Sequence, residues 1–137
     1  MRLACAAAVV TAVALVTGSA GCSNRDSPRA HPKRPTGPPV VASAGPGGVQ
    51  VVTIEVDDGL RFRPSVVEMR PGKLTIRLHD GGTTPHNLRF TATDRGISNV
   101  VGGQTREATF TAAAPGTYSF VCTYHERLGM NGSVVVR

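Results

Sequence analysis

From Val49 to Arg137 apolar and polar residues alternate with a period of two. Val52, Ile54 and Val56 alternate with Thr53, Glu55 and Asp57, and Asp58-Gly59 ends the run with a turn signal. Leu74, Ile76 and Leu78 alternate with Thr75, Arg77 and His79 after Pro71-Gly72, which closes an extended segment from Ser65 to Met69. Ala108, Phe110 and Ala112 repeat the pattern, Tyr118, Phe120 and Cys122 share one face after Pro115-Gly116, and Gly132 opens a last strand from Ser133 to Arg137. Side chains of a strand point alternately to opposite faces, so each run predicts a half-buried strand. About seven short strands separated by turns predict an all-β domain, an antiparallel sandwich or barrel with Greek-key connections.

Before Val49 the pattern is different. Met1 and Arg2 give a short basic start, Leu3 to Val16 is an apolar run, and small residues follow to Gly21, which predicts a signal peptide over residues 1–21. The run is shorter than the roughly 20 apolar residues needed to span a bilayer. Ser19-Ala20-Gly21-Cys22 resembles a bacterial lipobox, in which the Cys is lipidated and becomes the mature N-terminus, although Ser19 stands where that motif usually has Leu. The resemblance implies lipid on Cys22 and an anchor on the extracytoplasmic face of the cell membrane; the alternative is ordinary cleavage near Ala20 and a secreted product. Residues 22–48 are rich in Pro, Gly, Ala and Arg and show no apolar periodicity, so they are expected to be a disordered tether. The folded domain is expected at 49–137.

Absence of Trp with abundant Gly and Pro agrees with strands joined by turns rather than helices. A formal net charge of +6 raises the question of nucleic acid, and its distribution answers it. Residues 49–137 carry ten basic and eight acidic side chains, whereas residues 23–48 carry four basic and one acidic. The excess lies in the tether, so a nucleic-acid partner is not expected.

Of three cysteines, Cys5 leaves with the signal and Cys22 is the lipidation candidate, so Cys122 is the domain's lone thiol. A solitary thiol in an oxidising compartment calls for burial or a metal. Cys122, His125 and Met130 lie within nine residues of an expected loop, and His86 shares strand parity with Leu88 and Phe90, so both His86 and Cys122 should point inward at strand ends. The long separation of His86 from the others fits a sandwich in which one strand end delivers the fourth ligand across the sheet interface. Two imidazoles, a thiolate and a weak thioether suit a copper electron-transfer site, whereas zinc more often recruits harder or additional Cys and His ligands. Singly, each residue could instead be core: an inert thiol, a filler Met, a satisfied imidazole. His79 and His31 are read as surface residues, and Tyr118 and Phe120 as core.

Cys122-x2-His125-x4-Met130, the upstream Pro85-His86-Asn87 and the Gly129-Met130-x-Gly132 ending resemble the plastocyanin-like cupredoxins. Phe62-x-Pro64 and Pro71-Gly72 are similar to that family's early strands, so the likeness covers residues 50–137. It implies an all-β, antiparallel Greek-key β-sandwich holding one type 1 copper ion on His86, Cys122, His125 and Met130. It also implies that Asn87 bonds toward Thr123, tying the His strand to the Cys loop. Asp80 stands where the family usually has Asn, and Glu126 and Arg127 where small residues are frequent.

The implied function is one-electron transfer between extracytoplasmic redox proteins, with His125 as electron port and brief docking around it near Leu128. Copper capture or delivery through the same ligands is the alternative. An enzyme is not expected, because a second copper centre would need further histidines or a second cysteine.

Overall fold

The computed structural model describes residues 37–137, so the expected signal peptide, Cys5, Cys22, His31 and most of the expected tether lie outside the described residues. Ten strands follow in order: β1 (Val40–Val41), β2 (Ser43–Ala44), β3 (Gln50–Val56), β4 (Val66–Met69), β5 (Gly72–Asp80), β6 (His86–Phe90), β7 (Gly96–Val100), β8 (Thr105–Ala112), β9 (Gly116–Val121) and β10 (Asn131–Val136). One sheet has the order β1-β4-β10-β9-β6-β7 and the other β2-β3-β5-β8.

Period-two patterning becomes burial directly. In β3, Val52, Ile54 and Val56 are buried while Thr53 and Glu55 face solvent. In β5, Leu74, Ile76, Leu78 and Asp80 are buried. The inner faces of both sheets bury one continuous core. All four phenylalanines meet edge to face within it: Phe62 on Phe120 at 5.0 Å, Phe120 on Phe90 at 5.9 Å, and Phe90 on Phe110 at 4.8 Å. Such tilted pairs match the positive edge of one ring to the negative face of the next.

Three features differ from expectation. Strand pairing reaches back into the expected tether: Val40–Val41 pairs with β4 and Ser43–Ala44 with β3. These pairs are held by backbone hydrogen bonds and keep their side chains mostly exposed, so no apolar period marks them. Second, the sheets are mixed rather than wholly antiparallel, because β3 pairs β5 and β4 pairs β10 in parallel. The chain crosses from one sheet to the other between β3 and β4 and back again before β5, which brings β3 and β5 side by side with the same direction. Third, β7 was not anticipated; it pairs with β6 through a register shift between His86 and Leu88.

Candidate metal centre

Cys122 follows the last residue of β9, and β10 begins at Asn131, which pairs with Val121. Cys122 N–H donates to the Met130 carbonyl at 3.2 Å, so Cys122 and Met130 face each other at the mouth of a closed loop. Both are fully buried. Within the loop His125 N–H donates to the Cys122 carbonyl at 3.0 Å and Met130 N–H to the His125 carbonyl at 3.2 Å, folding His125 back toward Cys122. A 3-10 turn over Glu126–Leu128 carries the chain around, and Gly129, at φ 86°, takes the left-handed conformation that returns it to β10.

His86 opens β6, and β6 is the hydrogen-bonded neighbour of β9 in the same sheet. This corrects the expectation that the fourth side chain arrives across the sheet interface: the sandwich connectivity places the two strands side by side. The β6–β9 ladder pairs Arg89 with Val121 and Phe90 with Phe120. Continued along the antiparallel register, Asn87 falls opposite Thr123, beyond the end of the backbone ladder. There the Asn87 side chain does the bonding. Its Nδ2 donates to Thr123 Oγ1 and its Oδ1 accepts the Thr123 N–H, both at 2.8 Å. Replacing Asn87 by Ala should therefore destabilise the copper-free protein by about 1–3 kcal/mol, measured by chemical unfolding, because the Thr123 N–H loses its partner.

The resulting geometry is tight. Cys122 Sγ lies 3.4 Å from His125 Nδ1 and 3.9 Å from His86 Nδ1, and the ligand atoms of the three residues all lie within 4.8 Å of one another. The two imidazole rings are 5.0 Å apart and inclined at 58°. Both imidazoles thus aim the same nitrogen at the sulfur. Burial, and behind it the charge of His86, hold the His125 imidazole below its ordinary pKa, which favours the neutral, metal-binding form. Met130 is fully buried where the loop closes on Cys122. A cluster of one cysteine sulfur and two imidazole Nδ1 atoms, with the buried Met130 beside it, fits a single type 1 copper ion.

His125 is half-buried in the rim, beside Tyr124 and the strongly exposed Leu128. Tyr124 O–H donates to Asn99 Oδ1, tying the loop to β7. His79 lies on the outer face of the second sheet, bonded to Thr105 at 2.9 Å and apart from the cluster. Phe120 is fully buried, and Tyr118, partly buried against the core, donates its O–H to the Ala114 carbonyl.

Sequence reasoning missed what holds the approach to His86. Asp58, read only as a turn residue, accepts hydrogen bonds from Thr83 N–H at 2.9 Å and Thr84 N–H at 2.8 Å, and from the Thr83 hydroxyl. These bonds, the Thr83 N–H first, lower its carboxyl pKa from 3.8 to about 2. The folded form is the stronger acid, so Asp58 contributes stability above pH 3.8 that is lost as pH falls toward about 2. Neighbouring Asp57 is lowered as well, by Arg63 and the Gly59 N–H. The thermal midpoint should fall across this window, and less steeply in Asp58→Asn, as followed by circular dichroism against pH.

A family model for the cupredoxin-like domain matches residues 39–136. Among solved structures, auracyanin from the photosynthetic bacterium Roseiflexus castenholzii is 22% identical with a TM-score of 0.57, covering 70% of this chain and 98% of its own. Auracyanin A, a blue copper protein of Chloroflexus aurantiacus, is 25% identical with a TM-score of 0.52, covering 64% and 99%. The metal-binding domain of the Cu(I)-exporting P-type ATPase CopA of Streptococcus pneumoniae is 20% identical with a TM-score of 0.60, covering 74% and 98%.

Proposed function

Since the chain belongs to the cupredoxin-like family, we propose that it carries single electrons between extracytoplasmic redox proteins, using one copper ion held by His86, Cys122, His125 and Met130. The observation that carries this reading is the convergence of the Cys122 sulfur and both Nδ1 atoms within 4.8 Å, with Met130 buried opposite Cys122. When bound, copper supplies a one-electron Cu(II)/Cu(I) couple. The protein's own part is to fix a donor geometry tolerable to both oxidation states, so that little moves when an electron arrives. Asn87 and Thr123 lock two of the converging segments together, and such outer bonds orient ligands. Burial of Cys122 shields the thiolate from oxidation.

His125 is the electron port, because it is the one proposed ligand that is not fully buried. Partners dock briefly around it on Leu128 and Tyr124, exposed by 68% and 51%. A small apolar contact of this kind suits weak, transient complexes. Lipid on Cys22, if attached after export, holds the domain at the extracytoplasmic face of the membrane. No helix among the described residues is long and apolar enough to cross it.

Copper capture or delivery is the second reading, favoured by the likeness to the ATPase metal-binding domain. Handing copper to a partner calls for ligands that the partner can reach, and Cys122, Met130 and His86 are fully buried while Met69 is 4% exposed. This burial favours electron transfer. The two readings are separated by cycling the loaded protein between oxidised and reduced states in the presence of a Cu(I) chelator. An electron carrier keeps its copper through repeated cycles; loss of copper on the first reduction supports delivery instead.

A further inference from the structure

The segment between β5 and His86 contains no regular structure, yet each of its backbone N–H groups is bonded. Gly81 N–H donates to the Val56 carbonyl at 2.9 Å and Gly82 N–H to Asp80 Oδ1 at 2.8 Å. Thr83 and Thr84 N–H both donate to Asp58 Oδ1. Pro85, with no N–H, then leads into His86. Asp58 also packs against Gly82, where an added Cβ would lie 2.7 Å from the Asp58 nitrogen and from Oδ1. The turn after β3 and the crossover before β6 therefore interlock at one carboxylate.

His86 depends on this interlock more than a metal-binding histidine usually does. Such a histidine is ordinarily oriented by a hydrogen bond from its remote nitrogen. Here the buried His86 Nε2 has no protein hydrogen-bond partner. Orientation of the ring is left to packing and to the backbone that delivers it. That backbone is fixed two residues upstream, at Thr84, by Asp58.

We propose that Asp58 is a positioning residue for the copper site, clamping the Gly82–Thr84 crossover so that His86 presents Nδ1 to the Cys122 sulfur. This rests on the copper-site reading above. The charged carboxylate is suited to the task because it accepts three donors at once, two of them adjacent backbone N–H groups, as an anion does in a backbone nest. Asp57, one residue earlier, has a different job: its Oδ1 accepts the Gly59 N–H at 2.8 Å and its Oδ2 pairs with Arg63, and no bond from it reaches the crossover.

The test compares the full chain as wild type, Asp58→Ala, Asp58→Asn and Asp57→Asn. Copper loss to excess chelator and the visible and paramagnetic resonance spectra of the Cu(II) protein are read in each. Asp58→Ala should lose copper about tenfold faster with a shifted spectrum. Asp58→Asn, whose amide oxygen still accepts from Thr83 and Thr84, should lose it about two- to threefold faster. Asp57→Asn should match wild type. Wild-type behaviour in Asp58→Ala, or an equal effect in Asp57→Asn, overturns the proposal; should Asp58→Ala not fold, wild-type behaviour in Asp58→Asn does so. If wild type itself takes up no copper, the functional reading fails while the clamp is still judged on the copper-free protein. Faster amide exchange at Thr83 and Thr84 with broadened His86 ring signals in the Asp58 variants supports it there, and unchanged His86 signals overturn it.

Discussion

Replacing Cys122 by Ser should abolish the intense red absorption of the Cu(II)-loaded protein and weaken copper binding on the order of a thousandfold, about 4 kcal/mol. The colour requires charge transfer from a thiolate sulfur to Cu(II), and a serine hydroxyl neither ionises readily nor offers a soft donor. Cys122 Sγ lies within 3.9 Å of both imidazole Nδ1 atoms, and the other sulfur proposed for the site, the Met130 thioether, cannot ionise to take its place. His79→Ala should keep the colour, since His79 sits on the outer face of the other sheet, bonded to Thr105. Visible spectra and a competitive copper titration check both variants. Retention of the band in Cys122→Ser, or its loss in His79→Ala, contradicts the assignment.

Phe120→Ala should cost about 3–5 kcal/mol of folding stability, among the largest single losses available in this core. Phe120 is fully buried and touches both Phe62 and Phe90 edge to face, so truncation removes buried area and leaves a cavity bordered by two rings. It also lies two residues before Cys122 and against Gly132, where an added Cβ would overlap its ring. Chemical denaturation of the copper-free protein measures the loss directly. A value below about 1 kcal/mol would mean that the aromatic run is not what holds the two sheets together.

The strands that alternate strictly were legible because one of their faces is buried. β3, β5 and β8 pair with neighbours in unbroken register, so their buried residues recur at every second position. β7 escaped because its buried residues, Ile97 and Val100, are three apart. They oppose Leu88 and His86, which are two apart, so the extra residue of a bulge erases the period. β1 and β2 escaped because two-residue strands within a Pro- and Gly-rich stretch are specified by backbone pairing alone. Parallel pairing of β3 with β5 reflects the path between sheets, which no local pattern records.

The site was legible for a chemical reason. Thiolate, imidazole and thioether are rare side chains, and their spacing around one loop survives any uncertainty about strand ends. Asn87 and Thr123 were reached through family likeness, and the register explains them: they stand opposite each other two residues past the end of the backbone ladder. Asp58 was not reached, because its partners are backbone N–H groups of Thr83 and Thr84, which carry no signature in side-chain identity. Nor does the sequence separate ligands in one sheet from ligands in facing sheets, since that depends on strand order.

Titrating the purified protein with Cu(II) while recording its visible spectrum tests the central claim most directly. Four side chains meeting around one ion predict an intense red band that grows linearly and stops at about one equivalent of copper. A spectrum with no such band, or binding that continues past one equivalent without a break, would contradict a single copper centre built from His86, Cys122, His125 and Met130.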